Sequence, residues 1–205
     1  MLALQGDVRE HAAVLTGLGA EVHLVRRPSD LAAVDGLVIP GGESSVIDKL
    51  ARAFGMQRPI RDAIAAGMPI YGTCAGLILL ADRVLDAIEG QEAFGGLDIT
   101  VRRNAFGGQV ESFETDLAVP ALGEEPVHAV FIRAPAVTAV GPAAEVLATL
   151  EDGTVVAVRQ GALLGTSFHP EVSGDPRFHA LFLDRVRGWT RPAGDGPSAG
   201  AAVSP

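Results

Sequence analysis

The stretch "PIYGTCAGLILLA", residues 69–81, predicts the fold around the only cysteine of the chain. A short apolar run precedes Cys74 and a longer one follows it, which is typical of a buried strand that turns sharply into a helix. The five residues 72–76 have the form G-x-C-x-G, the thiol counterpart of the G-x-S-x-G nucleophile elbow. Because a helix N-terminus favours the thiolate, this position suits a nucleophile. The alternative interpretation is a small buried hydrophobe.

Strand and helix patterns alternate on both sides of this stretch. Strands are predicted at residues 2–5, 21–25, 35–40 and 68–72, and helices at residues 7–19, 43–55, 58–67 and 77–88. Such alternation predicts a parallel sheet that is covered by helices on both faces. The first strand is short for a central one, which suggests that the natural start lies a few residues before Met1.

The second half of the chain predicts strands at short spacing, and therefore antiparallel additions to the sheet. They are expected at residues 97–104, 109–114, 128–135, 145–150, 154–160 and 162–172. An amphipathic helix at 175–189 closes a single domain, residues 1–189. Residues 190–205 are rich in Gly, Pro, Ala and Ser and predict a disordered tail.

Composition limits the classes of function that the chain can have. Of its 205 residues, 48% are hydrophobic and 20% charged, which indicates a soluble globular protein. The formal charge of −9 argues against nucleic acid or an anionic membrane as the main partner. We find no apolar run of the roughly 20 residues that cross a bilayer and no signal peptide, so a cytoplasmic protein is expected.

A catalytic cysteine needs a base, and His169 is the best candidate. It follows an apolar strand in "SFHPEV", where Glu171 comes two residues later. In an extended segment both side chains point to the same side, so Glu171 can orient the imidazole that activates Cys74. An ordinary turn at a strand end is the alternative. The other histidines have patterns that indicate structural or solvated positions: His11 and His179 in helices, His23 and His128 in strands.

Two backbone segments are candidates for stabilising an oxyanion. The N–H of Ala75 directly follows the nucleophile. "PGGES", residues 40–44, ends a predicted parallel strand and should lie at the same sheet edge as Cys74. Its glycines allow close approach to a ligand. The alternative is a strand-to-helix turn with Glu43 or Ser44 at the helix start, and both interpretations can hold together.

Six segments carry a family resemblance that spacing alone does not give. They are "LALQGDVREH", "DGLVIPGGESS", "YGTCAGLILLA", "RRNAFGGQVESFE", "VFIRAP" and "SFHPEV". In this order they resemble the glutaminase subunits of pyridoxal 5'-phosphate synthase, which are class I (triad) glutamine amidotransferases. The resemblance runs from residue 2 to about residue 189. It implies a three-layer, flavodoxin-like α/β fold.

The resemblance also implies roles for individual residues. Cys74 would attack the carboxamide of L-glutamine, with His169 as base and then proton donor, and with Glu171 orienting His169. No metal or cofactor is implied. The residues implied in glutamine binding are Gly42, Glu43, Ser44, Arg103, Ile132 and Arg133, and those implied at the oxyanion site and the partner interface are Gln5, Gly42 and Ala75.

The partner implied by the resemblance is a synthase subunit that receives the ammonia within a large hetero-oligomer. Two alternatives are an amidotransferase subunit of another pathway and a catalytically degenerate regulatory subunit. "RNAFG" and "FIRAP" argue against the first, since other amidotransferases lack them. Only Gly108, where the family commonly has arginine, favours the second, and its effect on a substrate or partner contact is left open.

Overall fold

A mixed eight-stranded sheet forms the centre of the structure, a computed structural model that describes residues 1–103 and 112–192. The helices of these residues are α1 (Val8–Gly17), α2 (Pro28–Leu31), α3 (Ser44–Ala53), α4 (Gln57–Ala65), α5 (Ala75–Leu80), α6 (Pro170–Ser173) and α7 (Arg177–Gly188), with a 3₁₀ turn at Pro120–Leu122. The strands are β1 (Leu37–Ile39), β2 (Ile70–Thr73), β3 (Ala81–Leu85), β4 (Leu97–Arg102), β5 (Ser112–Leu117), β6 (Val127–Ile132), β7 (Ala136–Val140), β8 (Glu145–Thr149), β9 (Val155–Gln160) and β10 (Leu163–Thr166).

The strand order confirms the predicted α/β sheet with a parallel core and antiparallel additions. Seven strands follow the order β1-β2-β10-β9-β7-β4-β3, and β8 pairs with β9. β1, β2 and β10 run parallel, whereas β9 is antiparallel to β10 and β7. β5 and β6 form a separate antiparallel ribbon rather than a continuation of the sheet. The parallel strands β1, β2 and β10 therefore lie side by side at one end of the sheet, while β3 and β4 form a second parallel pair at the other end.

The core has two halves, one on each face of the sheet. In β1, Leu37 and Ile39 pack on the face covered by α3, α4 and α5, while Val38 packs on the face covered by α1 and α7. All three are at most 1% exposed, which is the two-sided burial expected of a parallel strand. A Cβ on Gly76 would lie 2.2 Å from the Ile39 carbonyl oxygen, so α5 can pack directly against β1 only with glycine there.

One predicted helix was wrong in its second half. The pattern of residues 77–88 predicts one helix, but α5 ends at Leu80 and the chain continues as β3. Residues 75–80 are all buried, so they show no amphipathic period to separate a helix from a strand. β3 forms because it pairs in parallel with β4, a long-range contact that a local pattern cannot report.

Four further elements differ from expectation. The strands predicted at 2–5 and 21–25 are reduced to one parallel bridge, Leu2 to Val25, although the Leu2 N–H still donates to the Val38 carbonyl at 2.9 Å. β7 was not predicted. The end of the segment 162–172 is helical, since α6 begins at Pro170, where the proline ring fits the first helical turn.

Four expectations lie wholly or partly outside the described residues. They are the effect of Gly108, the last residue of the strand predicted at 97–104, residues 109–111 of the strand predicted at 109–114, and residues 193–205 of the predicted tail. Arg191, within that tail, donates from Nη2 to the Val34 carbonyl at 2.6 Å. Within the described ranges, no helix combines the length and apolar character needed to cross a bilayer.

Candidate active site

The nucleophile candidate Cys74 occupies a strained turn between β2 and α5. Its φ is 49° and its ψ −101°, a left-handed conformation that costs a non-glycine residue roughly 1–3 kcal/mol. The Cys74 N–H donates to the Thr166 carbonyl of β10 at 2.8 Å. The residue is 7% exposed, and Ala75 behind it is buried. The neighbouring strand thus holds the cysteine backbone in the elbow that the G-x-C-x-G pattern predicts.

His169 and Glu171 contact each other, but through a different backbone from the one predicted. His169 Nδ1 lies 2.7 Å from Glu171 Oε1, and both side chains are at most 5% exposed. His169 caps α6 and Glu171 lies in its first turn, so the pair is set by a helical turn rather than by an extended segment. The His169 N–H donates to the Val130 carbonyl of β6 at 2.9 Å, which fixes the start of this turn.

The His169 imidazole interacts with Cys74 as well as with Glu171, and both interactions affect its pKa. Burial lowers this pKa, but hydrogen bonds and charge interactions with Cys74 and Glu171 outweigh burial and raise the pKa to about 10. The sulfur, the imidazole and the carboxylate therefore form one connected line across 97 positions of sequence, from residue 74 to residue 171. Such a line can activate a nucleophile and hold a proton ready for a leaving group.

A buried pair of histidines lies behind Glu171, and the sequence patterns did not indicate its place in the site. His11 Nε2 lies 3.4 Å from Glu171 Oε1 and 3.0 Å from Thr73 Oγ1, and His11 Nδ1 lies 2.8 Å from His179 Nε2. Both histidines have 0% exposure, so the expected solvated position was wrong and the structural one correct. The signal available in the sequence was weak: His11 precedes Leu15 by one helical turn, on the buried face of α1.

Asp7 and Gly41 also lie against the His169 ring, near its Nδ1 and Cε1 atoms. Asp7 Oδ2 lies 3.5 Å from His169 Nδ1. A Cβ on Gly41 would lie 2.4 Å from His169 Cε1 and 2.9 Å from Asp7 Oδ2. Among the described residues, Asp7, His169 and Glu171 are the one group whose ligand atoms could surround a metal ion. They coincide with the base and its orienting carboxylate, so an ion there would compete with their contact.

The candidate oxyanion loop is held by Gln5. The Gln5 side-chain oxygen accepts the Glu43 N–H at 2.8 Å. Gly42 between them has φ 151°, and a Cβ there would lie 2.5 Å from the same Gln5 oxygen. Glycine is therefore needed for the two turns to approach each other. Gln5, Gly42 and Glu43, predicted separately, lie in one packed corner.

The predicted substrate residues fall into two groups. Arg103 Nη2 donates to Glu43 Oε1 at 2.8 Å, with the arginine side chain 9% exposed and the glutamate 46%. Ser44 Oγ accepts from Gln91 Nε2 at 3.1 Å, a neighbour that the sequence reasoning missed. Ile132 and Arg133 follow Val130, whose carbonyl binds His169. Ile132 is 39% exposed, and Arg133 has a left-handed φ of 45°. In the first group Arg103 contacts Glu43, and Ser44 follows Glu43 in the chain. The second group, Ile132 and Arg133, is linked to His169 only by its position after Val130.

Comparisons with known proteins identify close relatives over most of the chain. Residues 1–188 match the model of the SNO glutamine amidotransferase family. "Pyridoxal 5'-phosphate synthase subunit PdxT" of Clavibacter michiganensis subsp. michiganensis is 69% identical over 186 residues, 91% of this chain and 89% of the relative. The protein of that name from Leifsonia xyli subsp. xyli is 66% identical, covering 92% and 95%. A crystal structure of a glutamine amidotransferase superposes with a TM-score of 0.85 at 47% identity, covering 91% and 97%.

Proposed function

This chain belongs to the SNO glutamine amidotransferase family, and from that membership we propose that Cys74, His169 and Glu171 carry its chemistry. The chain is a glutaminase, which hydrolyses L-glutamine to L-glutamate and ammonia. The observation that carries the assignment of residues is the line from Cys74 through His169 to the buried Glu171, with 2.7 Å between Nδ1 and Oε1. No second line of this kind is found among residues 1–103 and 112–192 that the structure describes.

The first step forms a thioester. The Cys74 sulfur attacks the carboxamide carbon, and the thiol proton resides on His169. The negative charge that develops on the carboxamide oxygen is stabilised by the N–H groups of Ala75 and of the Gly42 turn. His169 then gives its proton to the amide nitrogen, the C–N bond breaks, and ammonia leaves. Glu171 keeps the imidazolium oriented and offsets its charge.

The second step releases glutamate. A water molecule attacks the thioester carbon while His169 takes one of its protons. The C–S bond breaks, and the proton returns to the Cys74 sulfur. Cys74 and His169 are thus restored, and one water has been consumed for each ammonia released.

Substrate selection is assigned to the corner that contains Arg103. An arginine binds a carboxylate strongly because its N–H groups match the two oxygens. The contact with Glu43 engages Nη2, and a guanidinium has five N–H donors in all. We therefore assign the glutamine α-carboxylate to Arg103, with Glu43 and Ser44 beside it and Ile132 and Arg133 completing the pocket.

The ammonia goes to a synthase subunit. The relatives above are named subunits of pyridoxal 5'-phosphate synthase, so this chain acts in the synthesis of that compound. Residues 1–189 form the glutaminase domain that docks on the synthase within a large hetero-oligomer. Docking next to Gln5 would organise the oxyanion corner, so glutamine turnover is expected to rise when the synthase is added.

The test is glutamate release by Cys74→Ala, measured with and without the synthase subunit. We expect no turnover, while binding of the synthase is retained in analytical ultracentrifugation. His169→Gln should also be inactive. His128→Gln is the matched control, because His128 is half exposed and bonded to Asp116 and Glu114. Turnover near wild type in Cys74→Ala would reject the thioester mechanism.

A further inference from the structure

We propose that His11 is a positioning residue of the glutaminase reaction, one that holds the Glu171 carboxylate in line with His169. This inference rests on the proposed function, since it gives His11 a task only if Glu171 orients His169. His11 itself touches neither the substrate nor the reacting sulfur in this proposal. It acts through Glu171 and through the end of the strand that carries the nucleophile.

The contacts of His11 connect two separate parts of the triad. Its Nε2 lies 3.4 Å from Glu171 Oε1 and 3.0 Å from Thr73 Oγ1. Thr73 is the last residue of β2 and precedes Cys74, whereas Glu171 lies in α6. One ring nitrogen thus lies between the orienting carboxylate and the elbow of the nucleophile.

The distances around His11 fit both tautomers, so the proton is assigned from the chemistry of the neighbouring groups. The Glu171 carboxylate and the Thr73 hydroxyl can both accept a hydrogen bond, so we assign the proton to Nε2 of His11, which lies 3.0 Å from Thr73 Oγ1 and, in a longer contact, 3.4 Å from Glu171 Oε1. Nδ1 then accepts the N–H of His179 Nε2 at 2.8 Å. This leaves His179 Nδ1 without a proton, and it has no hydrogen-bond partner in the part of the chain that the structure describes. Burial lowers the pKa of both histidines, which keeps the rings neutral.

Glu171 needs such a donor because little else fixes its carboxyl group. The side chain has 0% exposure, and Oε2 has no partner among the described residues. The contacts on Oε1, from His169 and His11, therefore set the rotation of the carboxyl group, a torsion that is intrinsically broad. With His11 replaced by an apolar residue, Glu171 keeps one donor and can turn away from His169.

Other titratable groups face this cluster and can also affect its pH profile. They are the same in the parent protein and in the variants below, so they do not account for a difference between them. These groups are His169, Cys74, Asp7, Asp175, Tyr71 and the N-terminal ammonium of Met1.

The test compares His11→Leu with His11→Gln and His179→Gln, each assayed with the synthase subunit. His11→Leu removes the donor, whereas the amide of glutamine can supply an N–H at about the reach of Nε2. We expect kcat to fall about 10- to 100-fold in His11→Leu with little change in KM, since hydrogen bonds to charged groups have that strength. The alkaline limb of its kcat profile should move to lower pH. His11→Gln should recover most of kcat.

His179→Gln is the matched control, because it changes an equally buried histidine of the same cluster and leaves the contact of His11 with Glu171 in place. The His179→Gln variant should be less stable to unfolding than the parent, but the alkaline limb of its kcat profile should lie at the same pH. Alkylation of Cys74 by iodoacetamide is the second readout, since the chain has one thiol and the reaction needs no glutamine. At pH 7 this alkylation should be slower than in the parent in His11→Leu, but not in His11→Gln or His179→Gln.

Four results would overturn the inference. The first is an alkaline limb of kcat that stays in place or moves to higher pH in His11→Leu, and the second is an unchanged rate of Cys74 alkylation in that variant. The third is an equal loss of kcat in His11→Leu and His11→Gln, and the fourth is an equal shift of the alkaline limb in His179→Gln. Failure of the proposed function is separate, because it would show as turnover in Cys74→Ala. An inactive Cys74→Ala together with a parental profile in His11→Leu rejects the role of His11 alone.

Discussion

Replacing Gly41 by alanine should strongly reduce catalysis, because the new methyl group displaces the imidazole ring of His169. The new methyl group would lie 2.4 Å from His169 Cε1 and 3.0 Å from His169 Nδ1, against an ordinary contact of about 3.4 Å. The ring must therefore retreat by about 1 Å. A misplacement of this size costs on the order of 100-fold in rate, or about 2.7 kcal/mol of activation free energy. The ring is also bonded to Glu171 at 2.7 Å, so it cannot move without stretching that contact.

The assay is glutamate release at saturating glutamine with the synthase subunit present. Gly17→Ala is the control: a Cβ there meets nothing within 4 Å, and alanine favours the helix α1. Thermal unfolding of both variants establishes that they are folded. A folded Gly41→Ala with kcat within about threefold of the parent would refute the argument that the His169 ring is held against Gly41.

Two further predictions concern the charges of the site. The pKa of His169 is raised to about 10, above its ordinary 6.5, so the stability that its charged form contributes is full below pH 6.5 and is lost as the pH rises through 10. Glutamine turnover should accordingly stay level to about pH 9 and fall with an apparent pKa near 10. A turnover that already falls near pH 7 would contradict a charged His169 in the active enzyme. Arg103→Leu should raise KM for glutamine about 10- to 100-fold, because a charge-assisted bond to the α-carboxylate is lost. Initial rates over a range of glutamine concentrations measure this, and an unchanged KM would remove Arg103 from the substrate site.

The features that the sequence predicts correctly are those that a short segment determines. The elbow at Cys74 follows from five residues, since small neighbours and a bend between apolar runs leave few other structures. The contact of His169 with Glu171 was also anticipated. Its geometry was not, because Pro170 can end a strand or begin a helix and the pattern does not separate the two.

The features that were missed depend on contacts between distant parts of the chain. β3 exists because Ala81–Leu85 finds β4, and no local period reports that pairing. His11 lies 160 positions before Glu171, and only the packing of α1 over the sheet brings them together. A polar residue on the apolar face of an amphipathic helix indicates that it has a buried polar contact, but it does not show which residue that contact is with.

The left-handed backbone of Cys74 has an evolutionary consequence. Glycine is the residue that adopts this conformation most readily, so a cysteine at this position goes against the preference of the backbone. Selection for turnover and selection for a durable fold thus oppose each other at one codon. In a lineage in which catalysis is no longer under selection, we expect Cys74 to be among the first residues to be substituted.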